Sequence, residues 1–217
     1  MRLCVLILIG TAAAAFAQDK RETAYDQLRD DARATKLVEQ VADDIKAHRY
    51  EDALKKANEA ATLRPADAVT LNARGAALSR LRRYAEAESA LKAAVTADPK
   101  AFPPQYNLAE ELYLQKKYFD ALAALKTLVS RFGPLPILKY DIYLCSLLCG
   151  LKQQSSSALA EMHFPQDGAA WYYAHAADLL MAGKKNEAKK LMKIADHIDA
   201  DDAQPYRETL MDLELLK

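Results

Sequence analysis

A period of 34 residues is the feature of this 217-residue sequence that most constrains its fold. Steps of 34 residues separate Tyr50, Tyr84 and Tyr118, and an alanine follows each of these tyrosines by three residues. The first two tyrosines are also followed, fifteen residues later, by Pro65 and Pro99. Agreement of several positions at one fixed period indicates that the chain repeats a structural unit.

Each unit carries the pattern of two helices. Apolar residues recur at helical spacing, as in Ala87, Leu91, Ala94 and Val95. Pro99 follows this run by a few residues, where a ring without an N–H group ends a helix. One helix pair cannot bury its apolar face by itself, whereas stacked pairs bury a continuous core. The sequence therefore predicts an all-α protein, an α-solenoid of antiparallel helix pairs.

The middle of the chain carries a family motif. It contains Tyr106-Asn107-Leu108-Ala109 followed by Tyr118, Ala121 and Pro134, and one repeat earlier Leu71, Gly75, Tyr84, Ala87 and Pro99. This succession of a small residue, tyrosine, alanine and proline resembles the tetratricopeptide repeat (TPR) family. The resemblance covers about residues 34–202. It implies a right-handed superhelix with a concave groove in which ligands bind.

The repeats differ in how well they match. Val41 and Asp44 replace the expected small and aromatic residues in the first repeat, and Lys152 and Ser155 replace the tyrosine and alanine in the degenerate fourth. In the fifth repeat Lys185 takes the place of the tyrosine. The predicted divisions are a leader (1–17), a charged lead-in or capping helix (18–33), repeats at about 34–67, 68–101, 102–135, 136–168 and 169–202, and a C-terminal capping helix (203–217).

The first 17 residues have the pattern of a secretory signal peptide. Arg2 supplies a positive charge, an apolar run follows over Leu3 to Ile9, and Ala15-Phe16-Ala17 forms a small-x-small cleavage site. An uncleaved N-terminal anchor is the alternative. We expect cleavage after Ala17, no membrane span after removal of the leader, and a periplasmic or secreted protein, with a bacterial periplasm as the more natural compartment.

Composition and motifs argue against several classes of function. The 30 basic and 30 acidic side chains balance, so a dedicated nucleic-acid binder is disfavoured. The four histidines are scattered, and the sequence lacks a phosphate-binding glycine loop or a nucleophile elbow. We therefore predict a protein that is not an enzyme and that has no catalytic residues, metal site or cofactor. Cys145 and Cys149 lie four residues apart on a predicted helix; two buried thiols are favoured over a disulfide.

One position in the first helix of each repeat points to a binding surface. Twelve residues before each anchor position stand Asn72, Tyr106, Tyr140 and Tyr173, the last in the fifth repeat. In the TPR family this position faces the concave groove, and amphipathic aromatics are typical anchors of protein interfaces. The predicted partner-binding groove comprises Asn72, Tyr106, Glu110, Tyr113, Tyr140 and Tyr173. The alternative is that these tyrosines only pack neighbouring helices.

The family subclass that clamps a partner's C-terminal carboxylate is not matched. Asn107 stands at the middle asparagine of that clamp, but Ala76 and Ile137 occupy the neighbouring positions. The predicted function is a non-catalytic, extracytoplasmic protein–protein interaction scaffold that holds an extended peptide or a partner helix in its groove. The alternative is a structural assembly factor of a cell-envelope complex that uses its convex face or its ends.

Overall fold

The computed structural model describes the backbone of residues 2–213 and 215 and the side chains of residues 20, 23–211, 213 and 215. The predicted leader and its cleavage site lie outside the residues whose side chains are described. Within the described residues the chain forms eleven α-helices: α1 (Arg2–Lys46), α2 (Tyr50–Leu63), α3 (Ala68–Arg80), α4 (Tyr84–Ala97), α5 (Phe102–Leu114), α6 (Tyr118–Phe132), α7 (Pro136–Leu148), α8 (Lys152–Ala160), α9 (Gly168–Met181), α10 (Lys185–Ile198) and α11 (Ala200–Asp212).

The helices follow one another as antiparallel pairs, and the period of the sequence marks the same point in each pair. Tyr50, Tyr84 and Tyr118 are the first residues of α2, α4 and α6, and Lys152 and Lys185 are the first residues of α8 and α10. The predicted all-α fold of antiparallel helix pairs is therefore confirmed. The fourth pair is present, although its second helix, α8, has only 9 residues.

A residue in the left-handed region turns the chain within every pair. His48, Arg82 and Lys116 have φ of 57°, 57° and 61°, and glycines occupy the same place at Gly150 and Gly183. The next residue's N–H group then closes the turn on the first helix, as from Arg83 N to Leu78 O at 2.9 Å. Three of these five turns thus place a bulky side chain where glycine has no steric cost.

The chain divides into two compact units, Met1–Pro99 and Lys100–Lys217. In the first unit the pair α3–α4 approaches closely at Gly75, where a Cβ atom would lie 2.6 Å from the Leu91 side chain. Leu91 and Ala87 of α4 are fully buried. Small residues at this crossing therefore allow the close contact of the two helices.

Asp44, at the end of α1, is a buried carboxylate in the first unit. It accepts hydrogen bonds from Lys56 and from Arg49, the latter with Nε 2.9 Å from Oδ1. These bonds, with Lys56 the larger contributor, hold the pKa of Asp44 below its ordinary value. An ion pair thus joins α1 to α2 at the place where the family pattern expects an aromatic residue.

The second unit is built from α5 to α11. Its core contains four tyrosines, Tyr140, Tyr143, Tyr173 and Tyr206, packed with small residues of α9 such as Ala170. The helix α11 forms the end of this unit and contributes Tyr206 and Leu210 to its core. None of the helices in the described part of the chain has the length and apolar character that a membrane span requires.

Candidate partner-binding face

Five of the six predicted groove residues lie in the second unit and one lies in the first. Asn72 is half-buried on α3 of the first unit, on the same face as Ala76 and Ser79, which are also half-buried. The other five, Tyr106, Glu110, Tyr113, Tyr140 and Tyr173, come from α5, α7 and α9. We call these five residues the tyrosine face.

The C-terminal helix α11 covers the tyrosine face. The Tyr113 hydroxyl donates to the backbone carbonyl of Thr209 at 3.0 Å, and the Tyr140 hydroxyl donates to the carbonyl of Tyr206 at 3.2 Å. The Tyr206 ring meets the Tyr140 ring edge-on, with centroids 5.0 Å apart, and stacks on Tyr173 at 6.1 Å. Aromatic rings and tyrosine hydroxyls therefore hold α11 against three successive first helices.

Tyr173 also belongs to a polar contact at the edge of α11. Its hydroxyl donates to Asp196 Oδ1 at 2.8 Å and accepts from Arg207 Nε at 3.2 Å, while Arg207 forms an ion pair with Asp196. Burial, assisted by the hydrogen bond to Asp196, raises the pKa of Tyr173 to about 12. The group is therefore a neutral hydrogen-bonding phenol at physiological pH.

A small cavity lies between α5, α7 and α11. It is lined by Tyr106, Glu110, Tyr113, Asp141 and Thr209, among others, and its volume of about 10 Å³ is close to that of one water site. Within it the Tyr106 hydroxyl donates to Asp141 Oδ2 at 2.8 Å. Burial raises the pKa of Asp141 to about 8, and Glu110 adds to the shift, although the Tyr106 hydrogen bond opposes it. At neutral pH this carboxyl is therefore mostly protonated.

The expectation of an open groove needs correction in the second unit. Tyr140 and Tyr173 have no exposed surface, and Tyr113 is also buried, whereas Tyr106 and Glu110 are half-buried. For Tyr140 and Tyr173 the packing role, which the sequence left open, is what the structure shows. The physical reason is that α11 buries aromatic surface that the helix pairs would otherwise expose to water. Contact of these residues with a partner stays a prediction.

The sequence indicates Tyr206 as part of the apolar stripe of a C-terminal capping helix, but it does not indicate that this helix packs on the tyrosine face. Sequence reasoning missed the polar residues of these contacts, which are Thr209, Arg207, Asp141 and Asp196. The repeat carried a signal for some of these contacts, because residues one period apart lie on neighbouring first helices. Tyr173 and Arg207 are 34 residues apart, and Tyr106 and Asp141 are 35 apart.

The acidic residues and the cysteines around this face have the following environments. Among the side chains that the structure describes, no three or more His, Cys, Asp or Glu residues are grouped to hold a metal ion. Asp199 caps α11, because its carboxylate accepts from the N–H groups of Asp201 and Asp202 at 3.0 and 2.9 Å. Cys145 is a buried free thiol and Cys149 a half-buried one, and burial raises the pKa of both. Raised thiol pKa values disfavour nucleophilic chemistry.

Comparison with known proteins relates the fold to solved TPR structures. A TPR protein from Thermus thermophilus is 19% identical with a TM-score of 0.66, covering 82% of this chain and 99% of its own. A tetratricopeptide repeat protein from Parabacteroides merdae is 18% identical with a TM-score of 0.67, covering 82% and 70%. YrrB, a TPR protein with an unusual peptide-binding site, is 18% identical with a TM-score of 0.50, covering 79% and 90%.

Comparison with family models and with curated protein sequences found no match. At identities below a fifth, the structural likeness bears on the fold alone. Over about four-fifths of its length, the chain is thus similar in structure to TPR proteins.

Proposed function

We propose that this protein is a non-catalytic, extracytoplasmic scaffold that binds a partner protein through the inner faces of its first helices. The partner would present an extended peptide or a helix to these faces. The observation that carries the proposal is that a helix already binds there: α11 lies on the tyrosine face through the Tyr206 ring and through its own backbone carbonyls. A surface with this chemistry is suited to helix-in-groove recognition.

The first unit offers the corresponding surface on α3. Asn72, Ala76 and Ser79 lie on one half-buried face of that helix. Small and polar side chains there leave room for a peptide backbone and supply hydrogen-bonding groups. YrrB, with its unusual peptide-binding site, is a precedent for peptide recognition by a protein of this fold.

The compartment is the second part of the proposal. It rests on the signal-like pattern of residues 1–17 and on the small-x-small site before Gln18. Expression of the full sequence with a C-terminal tag, followed by fractionation and N-terminal sequencing, tests this part. A mature chain that begins at Gln18 in the periplasm or medium supports it, and an uncleaved cytoplasmic chain would contradict it.

Affinity capture from an envelope extract tests the binding surface. The first-helix variant combines Ala76→Arg with Tyr106→Ala, at two half-buried positions. The matched variant on the second-helix side combines Ile194→Asp with Ile198→Asp, two exposed residues of α10. Circular dichroism must first show that both variants keep the helical content of the wild type.

The two variants separate the proposal from its alternative, an envelope assembly factor that uses the convex face or the ends. A partner retained by the wild type and the α10 variant but lost by the first-helix variant supports groove binding. Loss in the α10 variant alone supports the assembly-factor alternative. Retention by both variants contradicts the groove assignment and directs attention to the ends of the stack.

A further inference from the structure

The tyrosine face of the second unit is covered by α11, a helix of the same chain. Hydrogen bonds, ring contacts and the Arg207–Asp196 ion pair join α11 to α5, α7, α9 and α10. A helix that merely ended the stack would contact the pair before it. Beyond its contacts with α9 and α10, α11 also reaches back to Tyr113 of α5, 96 residues away from Thr209 in the sequence. It occupies the surface across which a bound helix would lie.

The contacts define the pattern that this face recognises. Tyr206 and Leu210 are buried in the core of the unit, and Leu213 packs against it, so the inward stripe is an aromatic residue followed by aliphatic residues at helical spacing. The hydroxyls of Tyr140 and Tyr113 bind two backbone carbonyls one helical turn apart, Tyr206 O and Thr209 O. Any helix offers backbone carbonyls to these two hydroxyls, whatever its side chains. A second helix with the same aromatic–aliphatic stripe would therefore match both the backbone and the side-chain contacts of α11.

The helix α11 has low intrinsic stability. Pro205 lies inside α11, where a proline removes a backbone hydrogen bond and crowds the preceding turn. A 13-residue helix is marginal in water by itself, and the proline weakens it further. The order of α11 therefore depends on its packing against the tyrosine face, whereas a partner helix without an internal proline keeps the backbone hydrogen bond that Pro205 removes and avoids the crowding of the preceding turn.

We infer that α11 is a displaceable occupant of the tyrosine face, and that the partner of this face is an amphipathic helix with an aromatic–aliphatic stripe like that of Tyr206 and Leu210. The displacement rests on the proposed function, because it matters only if this face binds a partner. While α11 is docked, only the small fraction of undocked molecules binds the partner, and the apparent association constant falls to that fraction of its intrinsic value.

A peptide competition experiment tests the displacement in the full chain. The probe is a fluorescein-labelled peptide with the sequence of residues 199–213, and its binding is followed by fluorescence anisotropy. Tyr206→Ala in the full chain loosens α11 but leaves the tyrosine face intact. We expect the probe to bind the Tyr206→Ala chain at least about tenfold more tightly than the wild type. The same peptide with Tyr206→Ala should bind neither chain.

Two further variants keep the test decisive. If the Tyr206→Ala chain loses helical content, Arg207→Ala loosens α11 at its half-buried edge by removing the contacts with Tyr173 and Asp196. Pro205→Ala acts in the opposite direction, because it restores the helical backbone of α11. In the chain it should weaken binding of the probe, and in the probe it should strengthen binding to the loosened chain.

Equal binding of the probe to wild-type and loosened chains, or binding to neither loosened chain, would overturn the inference. A loosened chain that forms dimers by exchanging α11, seen by sedimentation, would overturn the assignment of a separate partner helix in favour of a second copy. The proposed function fails separately, in the capture experiment. If the capture experiment finds a partner that requires the first-helix residues, but the labelled peptide does not bind the loosened chains, the proposed function is supported and displacement of α11 is rejected.

Discussion

Replacement of Asp141 by asparagine should stabilise the second unit at neutral pH. The side chain sits in the small cavity beside Tyr106 and Glu110, and burial raises its pKa from 3.8 to about 8. Asparagine has the shape of the protonated carboxyl, and its carbonyl oxygen still accepts the hydrogen bond from the Tyr106 hydroxyl. At neutral pH the wild-type carboxyl must bind a proton when the chain folds, whereas asparagine needs none and keeps the hydrogen bond.

The magnitude follows from proton linkage. Between the pKa of the unfolded chain, 3.8, and that of the folded chain, about 8, the folded state holds a proton that the unfolded state has released. The free energy of unfolding of the wild type therefore falls as pH rises through this window. Each pKa unit corresponds to about 1.4 kcal/mol, which gives an upper bound of about 4 kcal/mol at pH 7. Hydration and relaxation around the charge lower this, and we expect Asp141→Asn to gain about 1–3 kcal/mol.

Urea unfolding at pH 4 to 8 measures the effect. The fluorescence of Trp171, the only tryptophan of the chain, reports on the second unit. The Asp141→Asn variant should match the wild type near pH 4 and exceed it progressively toward pH 8. Asp120→Asn, which changes an exposed acid of the same unit, is the control and should leave the pH dependence unchanged. A variant whose stability parallels that of the wild type at every pH, or that is less stable at pH 7, would refute the reasoning.

Three further predictions concern stability. Gly75→Ala should lower the free energy of unfolding of the first unit by about 1–3 kcal/mol in urea denaturation followed by circular dichroism, because the added Cβ overlaps Leu91; an unchanged midpoint would contradict the close contact. Lys116→Gly should raise the free energy of unfolding by up to about 1 kcal/mol, because glycine adopts the left-handed φ of 61° without steric cost. The thermal midpoint should rise accordingly, and a lower midpoint would count against this. Lys139→Met should destabilise the second unit by about 3 kcal/mol in unfolding followed by Trp171 fluorescence. The reason is that Lys139 Nζ lies 2.8 Å from Oδ1 of the buried Asp167 and neutralises that carboxylate. Unchanged stability would reject this role.

The sequence determines the fold class of this protein because the repeat expresses local rules. Helical spacing of apolar residues, prolines at the helix ends and small residues at the crossings all act within about 34 residues. The anchors Tyr50, Tyr84 and Tyr118 therefore mark the starts of α2, α4 and α6, and the lysines at 152 and 185 mark the same point in degenerate repeats. The amphipathic stripe of Tyr206, Leu210 and Leu213 likewise indicates a C-terminal helix from the sequence alone.

The state of the tyrosine face is decided only by the tertiary structure. No local sequence pattern predicts whether Tyr140 and Tyr173 contact water, a partner or their own chain, because the environment of these side chains depends on where α11 packs. The contact between Tyr113 and Thr209 spans 96 residues, and no periodicity of the sequence encodes it. The protonation of Asp141 has the same origin, since the raised pKa comes from burial that exists only once α5, α7 and α11 enclose it.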